Sequence, residues 1–159
     1  RDVCDNSAFL CAILERRSIP VAEAGVALRE PDDAAQWNYI RTQADADAFM
    51  KLFAAFHDST LEKLCYEETS GMTKVTAVFD NSGWYGIAEL CFEGVLALNL
   101  RPPKENYSRE ILDATLLVRD ETVLWSDDAS WPNGQDLQQE APFSVSYIKA
   151  LNLKWRKIG

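Results

Sequence analysis

The chain has 159 residues, 47% hydrophobic and 26% charged, with 25 acidic against 16 basic side chains and a net charge of −9. That length supports one domain with a sizeable core, and the composition excludes collagen-like, disordered and helical membrane-spanning classes. The charge has the wrong sign for a general nucleic-acid binder, whose phosphate affinity comes from Lys and Arg.

Asp5, Asn6 or Ser7 can cap a first helix reaching about Arg17, with Phe9, Leu10, Ile13 and Leu14 at helical spacing and Pro20 as its stop. Val21 to Leu28 has no clear periodicity, and Glu30-Pro31-Asp32-Asp33 is a loop signal. Trp37, Tyr39 and Ile40 alternate as a short strand. Thr42 opens a second helix, with Asp45 three residues on as a capping-box variant. Ala46, Phe49, Met50 and Phe53 make its apolar stripe, which extends the predicted helix to about Phe56.

From Leu61 the period becomes two. Val75, Ala77 and Phe79 share one face of a strand, and Asp80-Asn81-Ser82-Gly83 is a turn. The stretch from Ile87 to Leu100 reads as one long strand, with Ala88, Leu90, Phe92, Gly94, Leu96, Leu98 and Leu100 on one face. Arg101-Pro102-Pro103 ends it. Leu112, Ala114, Leu116 and Val118 form the apolar face of the next strand. A hairpin closing at Asp120-Glu121 pairs Val118 with Val123 and Leu116 with Trp125, although it lacks the glycine that primed turns prefer. The last strand, about 144–156, places Val145, Tyr147, Leu151, Leu153 and Trp155 on one side. Lys154 and Arg156 on its other side suit the solvent face of an edge strand. The expected architecture is one α+β domain over 1–159. Its N-terminal helices, in a mainly helical stretch over 1–58, pack on a twisted antiparallel sheet of about five or six strands in 59–159.

Cys4, Cys11, Cys65 and Cys91 include no CxxC pair, and His57 is the one histidine. One histidine excludes a two-histidine metal site, and the wide cysteine spacing argues against a structural zinc centre, so no metal or cofactor is expected. All four cysteines read as free thiols, and their low density favours a reducing, cytoplasmic setting. No phosphate loop, GxGxxG or GxSxG occurs.

Two stretches hold the candidate residues. Phe56-His57-Asp58-Ser59 joins the second helix to the first long strand. His57, Asp58 and Ser59 are candidate binding residues there. Consecutive residues point apart, so they do not make a triad, whose members come from distant positions. The second stretch is Trp125-Ser126-Asp127-Asp128 with Trp131. Asp120, Glu121, Asp127, Asp128, Asp136 and Glu140 face no basic residue between positions 120 and 140, so Trp125, Asp127, Asp128 and Trp131 are candidates for meeting a basic protein.

The FHDS stretch Phe56-His57-Asp58-Ser59 resembles a signature of several poorly characterised bacterial families. The stretch Phe92-Glu93-Gly94-Val95 and the ending Tyr147-Ile148-Lys149-Ala150 with Leu153-Lys154-Trp155 are similar too. Some of these families are regarded as immunity proteins of bacterial polymorphic toxin systems; others have no assigned function. The resemblance spans about residues 45–156. It implies a small acidic cytoplasmic α+β protein and transfers no catalytic residue.

Three functional readings follow. The first is a non-enzymatic binding protein of immunity type, whose acidic surface attracts a basic protein partner. The second is an enzyme or small-molecule binder centred on His57 and Asp58. The third is a structural module that forms a homo-oligomer through an exposed edge strand. Neither nucleic acid nor membrane is an expected partner.

Overall fold

A computed structural model describes residues 36–102, 108–132 and 145–159. The expected first helix, the ambiguous stretch and loop after it, Cys4, Cys11, Asp136 and Glu140 lie outside the described residues. Seven strands form one antiparallel sheet: β1 (Asn38–Ile40), β2 (Thr60–Thr69), β3 (Met72–Asn81), β4 (Gly86–Asn99), β5 (Thr115–Arg119), β6 (Thr122–Ser126) and β7 (Tyr147–Lys157). Their order is β2-β3-β4-β7-β6-β5. β1 pairs with β7 at Leu153–Trp155, end to end with β6, which pairs at Tyr147–Ala150.

Helical content corrects the expected α+β class. Among the described residues there is one α-helix, α1 (Gln43–Leu52), and a single turn at Ala54–Phe56. The described residues are mostly antiparallel sheet, of seven strands and not five or six, and they show no layer of helices packed on it. α1 starts as expected: the Thr42 hydroxyl accepts from the Asp45 amide, and the Asp45 carboxylate accepts from the Thr42 amide. It stops early because Ala54, Ala55 and Phe56 all take positive φ, at 50°, 51° and 64°. The apolar stripe runs on through this left-handed turn, so periodicity alone extends the helix past its end.

Phe49, Phe53 and Phe56 deliver their rings to the sheet face built by Val75, Ala77, Phe79, Ala88, Leu90, Phe92, Trp125, Ile148 and Ala150. Phe56 lies at the centre, its ring centroid 4.8 Å from Phe53 and 4.9 Å from Phe79.

β4 is the long strand expected, but its parity is broken. Gly94 takes φ +67°, and the register with β7 slips between Val95 and Ala97. Core contacts therefore pass from Phe92 to Val95 and Leu98, and Leu96 is left exposed.

β7 is a central strand, not the expected edge. It pairs with β4 on one side and with β6 and β1 on the other. Its cations are opposed: Lys154 meets Glu93 at 2.8 Å and Arg156 meets Glu89 at 2.5 Å. The β5 edge is itself plugged. The Gln43 side-chain amide accepts from the Val118 N–H and donates to the Leu116 carbonyl, replacing a neighbouring strand.

The reading of four free thiols is corrected. Cys91 is a buried free thiol, but Cys65 is disulfide-bonded, its partner lying outside the described residues. Disulfides belong to oxidising compartments, so the cysteines no longer argue for the cytoplasm. Among the described residues no helix is long and apolar enough to cross a membrane.

Candidate functional site

The FHDS stretch is a corner where the chain leaves the left-handed turn and enters β2. Its backbone is tied to the segment before β5. The Asp58 N–H donates to the Ile111 carbonyl, the Ile111 N–H to the Ser59 carbonyl, and the Ala114 N–H to the Ala55 carbonyl. Asn81 holds the turn from below, its amide donating to the Phe53 carbonyl at 2.8 Å. Three consecutive non-glycine residues in left-handed conformation cost about 1–2 kcal/mol each. Burial of Phe53 and Phe56 is the compensating force.

His57 projects outward from this corner. Its Nδ1 lies 2.6 Å from the Leu112 carbonyl oxygen. A carbonyl can only accept, so Nδ1 carries the hydrogen and the neutral ring keeps its lone pair on Nε2. Nε2 faces the Asp58 carboxylate at 3.7 Å. The Leu112 carbonyl first, and the Asp58 charge second, raise the His57 pKa above its ordinary value; Asp113 adds to this. The Trp84 ring, from the β3–β4 turn, is 6.3 Å from the imidazole.

Ser59 sits differently. It is fully buried, and among the described residues its hydroxyl has no hydrogen-bond partner. The adjacent side chains thus diverge: Phe56 and Ser59 go into the core, while His57 and Asp58 face solvent. Ser59 cannot present a nucleophile to a substrate from there, and His57 lacks the geometry of a Ser–His–Asp relay.

A raised folded-state pKa stabilises the fold while the ring is protonated. That contribution is fully present below the unfolded value of 6.5 and is lost as pH rises through the higher folded value. The expected outcome is that His57→Gln is less stable than wild type at acidic pH, and that the gap narrows as pH rises above 6.5 and through the raised folded value. Urea midpoints at a series of pH values test this. A gap independent of pH would mean the ring packs there without titrating.

The second candidate stretch is architectural where it is described. Trp125 is a core residue, its ring 5.0 Å from Phe79 and 5.7 Å from Phe56. Trp131 is 9% exposed and packs on Tyr147 in a small cluster on the opposite side of the sheet. Asp127 accepts from the Ser146 N–H at 2.8 Å and lies 3.8 Å from the Arg101 guanidinium. Burial pushes its pKa up, against the Ser146 bonds, which pull it down. Asp128 folds the loop by accepting from both the N–H and the hydroxyl of Ser130. These four residues are turned to internal contacts, and they do not join the His57 corner in one site.

The fold adds Leu112 to the corner, which the sequence does not single out, and it places there Trp84, one of the aromatics that the sequence puts in or beside a loop. Leu112 is 75% exposed and Trp84 62% exposed, and both touch or flank His57. Trp84 follows a turn signal, which leaves its exposure open. Alternation places Leu112 on the apolar face of a strand, but β5 begins only at Thr115.

One shallow cleft lies elsewhere, between Tyr39, Leu52 and Trp155, with a volume of about 200 Å³. That is below the roughly 300–1,000 Å³ of ordinary small-molecule sites. Among the described residues no three His, Cys, Asp or Glu side chains group as metal ligands.

No family model matches the chain, and neither does any curated protein or solved structure.

Proposed function

We propose that this is a non-enzymatic binding protein that meets a basic protein partner through the His57 corner. The observation that carries the reading is a pair of strongly exposed apolar residues at His57: Trp84, whose ring lies 6.3 Å from the imidazole, and Leu112, whose carbonyl bonds it. Aromatic and aliphatic anchors with polar neighbours are the anatomy of a protein interface. The backbone beneath is fixed by buried rings and cross-chain hydrogen bonds, so the surface is preorganised and little ordering is needed on binding. The net charge of −9 supplies long-range attraction for a cationic partner. The FHDS resemblance suggests an immunity role, in which that partner is a toxin domain. A role for the acidic 120–140 loop rests less on Asp127 and Asp128, which serve internal contacts.

Parallel affinity capture with wild type and Trp84→Ala tests the proposal. The expected result is one basic protein retained by wild type, released as salt rises towards about 0.5 M, and lost from the variant. Identical retention by both baits would remove the corner from the interface.

A further inference from the structure

We infer that the His57 corner is a seat for a single cationic side chain, a guanidinium that stacks on Trp84 and pairs with Asp58. This rests on the binding reading above and names its chemistry.

Two contrasts within the molecule lead there. The first concerns aromatic rings at the surface. Lys154 and Arg156 lie over Trp37, at 5.1 Å and 4.4 Å from the ring centroid. Arg41 lies over Tyr39 at 4.9 Å, and Lys157 over Tyr85 at 4.7 Å. Trp84 is more exposed than Tyr39, yet among the described residues no Lys or Arg lies over it; its ring neighbour is His57. Tryptophan is the aromatic that attracts cations most strongly.

The second contrast concerns carboxylates. On the outer face of the sheet Glu67, Glu89 and Glu93 each pair with a Lys or Arg. At the corner, the Asp58 carboxylate meets only the weakly basic His57 among the described residues, at 3.7 Å, and the Asp113 charge adds to the raised His57 pKa. The Trp84 indole and the Asp58 carboxylate, both beside one imidazole, have no strong cation against them among the described residues. Arginine suits them better than lysine, because a planar guanidinium can stack on the indole while its edge donates to carboxylate. The aliphatic stem of that residue, or an apolar neighbour, would lie on Leu112.

NMR titration of the full chain with a short capped Arg-Leu peptide tests the seat. The controls are the same peptide with citrulline, or with glutamate, in place of arginine. The single His57 ring and the Trp84 indole N–H are the reporters. The expected result is that the arginine peptide shifts both, about threefold to tenfold more tightly than the citrulline peptide, and that Trp84→Ala and Asp58→Asn each weaken it by about threefold or more. Equal binding of the arginine and citrulline peptides at Trp84, or preferred binding of the glutamate peptide there, would overturn the cation seat and leave the corner as an interface. Shifts scattered over the acidic surface, with Trp84 and His57 unmoved by every peptide, would overturn both. Trp84 and Asp58 are exposed, so these variants are expected to fold.

Discussion

Phe56→Ala is expected to lose about 3–5 kcal/mol of stability, the range for truncating a large buried aromatic. Phe56 is fully buried, and its ring meets Phe53, Phe79, Phe49 and Trp125 at centroid distances of 4.8, 4.9, 5.9 and 5.7 Å. Total stability of a domain is about 5–15 kcal/mol, so this one truncation removes a large share. Two effects make up the loss. One is the cavity between Phe79 and Trp125. The other is release of the left-handed turn, whose strain is sustained only while the Phe53 and Phe56 rings remain seated. Urea denaturation measures the total, with Leu112→Ala as an exposed comparison expected to change stability by less than about 0.5 kcal/mol. If Phe56→Ala cost less than about 1 kcal/mol, well under the usual aromatic range, the ring could not be what holds the turn. Should the variant be too unstable to purify, Phe56→Leu keeps most of the volume, and displacement of the His57 and Trp84 proton signals would report the loosened corner.

The double substitution Asp120→Asn with Glu121→Gly is expected to raise stability by about 1–2 kcal/mol. Both turn residues between β5 and β6 have positive φ, 50° and 59°. This is the two-residue turn whose twist matches a hairpin, and it favours Asn-Gly. A non-glycine residue held left-handed costs about 1–2 kcal/mol. Glycine returns some of that gain through the greater freedom of the unfolded chain, about 0.4–1 kcal/mol. Asp120 and Glu121 are exposed, so no packing is lost. The turn between β2 and β3 already solves the same problem with Ser70-Gly71, at φ 52° and 79°. The expected signature is a higher urea midpoint with an unchanged slope. A lower midpoint would mean that the two carboxylates contribute contacts in the native hairpin that outweigh the backbone strain.

That hairpin also shows how much of the fold is legible in the sequence. Alternation alone places Val118 opposite Val123 and Leu116 opposite Trp125, and both pairs are observed. The Thr42–Asp45 cap and the shared face of Val75, Ala77 and Phe79 are equally legible, because each depends on residues within one turn or one strand. The register of β4 is not. Gly94 at φ +67° breaks parity, and a glycine in a strand pattern does not announce whether it bulges.

The candidate site divides along the same line. Sequence points to His57 and Asp58, and the fold gives His57 fixed hydrogen-bonding at an exposed corner. Trp125, Asp127, Asp128 and Trp131 stand out by composition alone. Burial takes the two tryptophans, and hydrogen bonds to Ser146 and Ser130 occupy the two carboxylates, which no charge count can show. Leu112 and Trp84 join His57 only because the residues before β5 and the β3–β4 turn meet at one corner.

By itself the sequence determined the strand-forming alternation of the second half, the start of the helix, the hairpin at Asp120-Glu121 and the acidic character of the molecule. These follow from periods of two and 3.6 and from side-chain charge, which are local. Tertiary structure alone decided that β7 is central, so that Lys154 and Arg156 are ion-paired across the sheet. It alone ended the helix at Leu52, because the left-handed turn is unfavourable in isolation and forms where buried rings and Asn81 hold it.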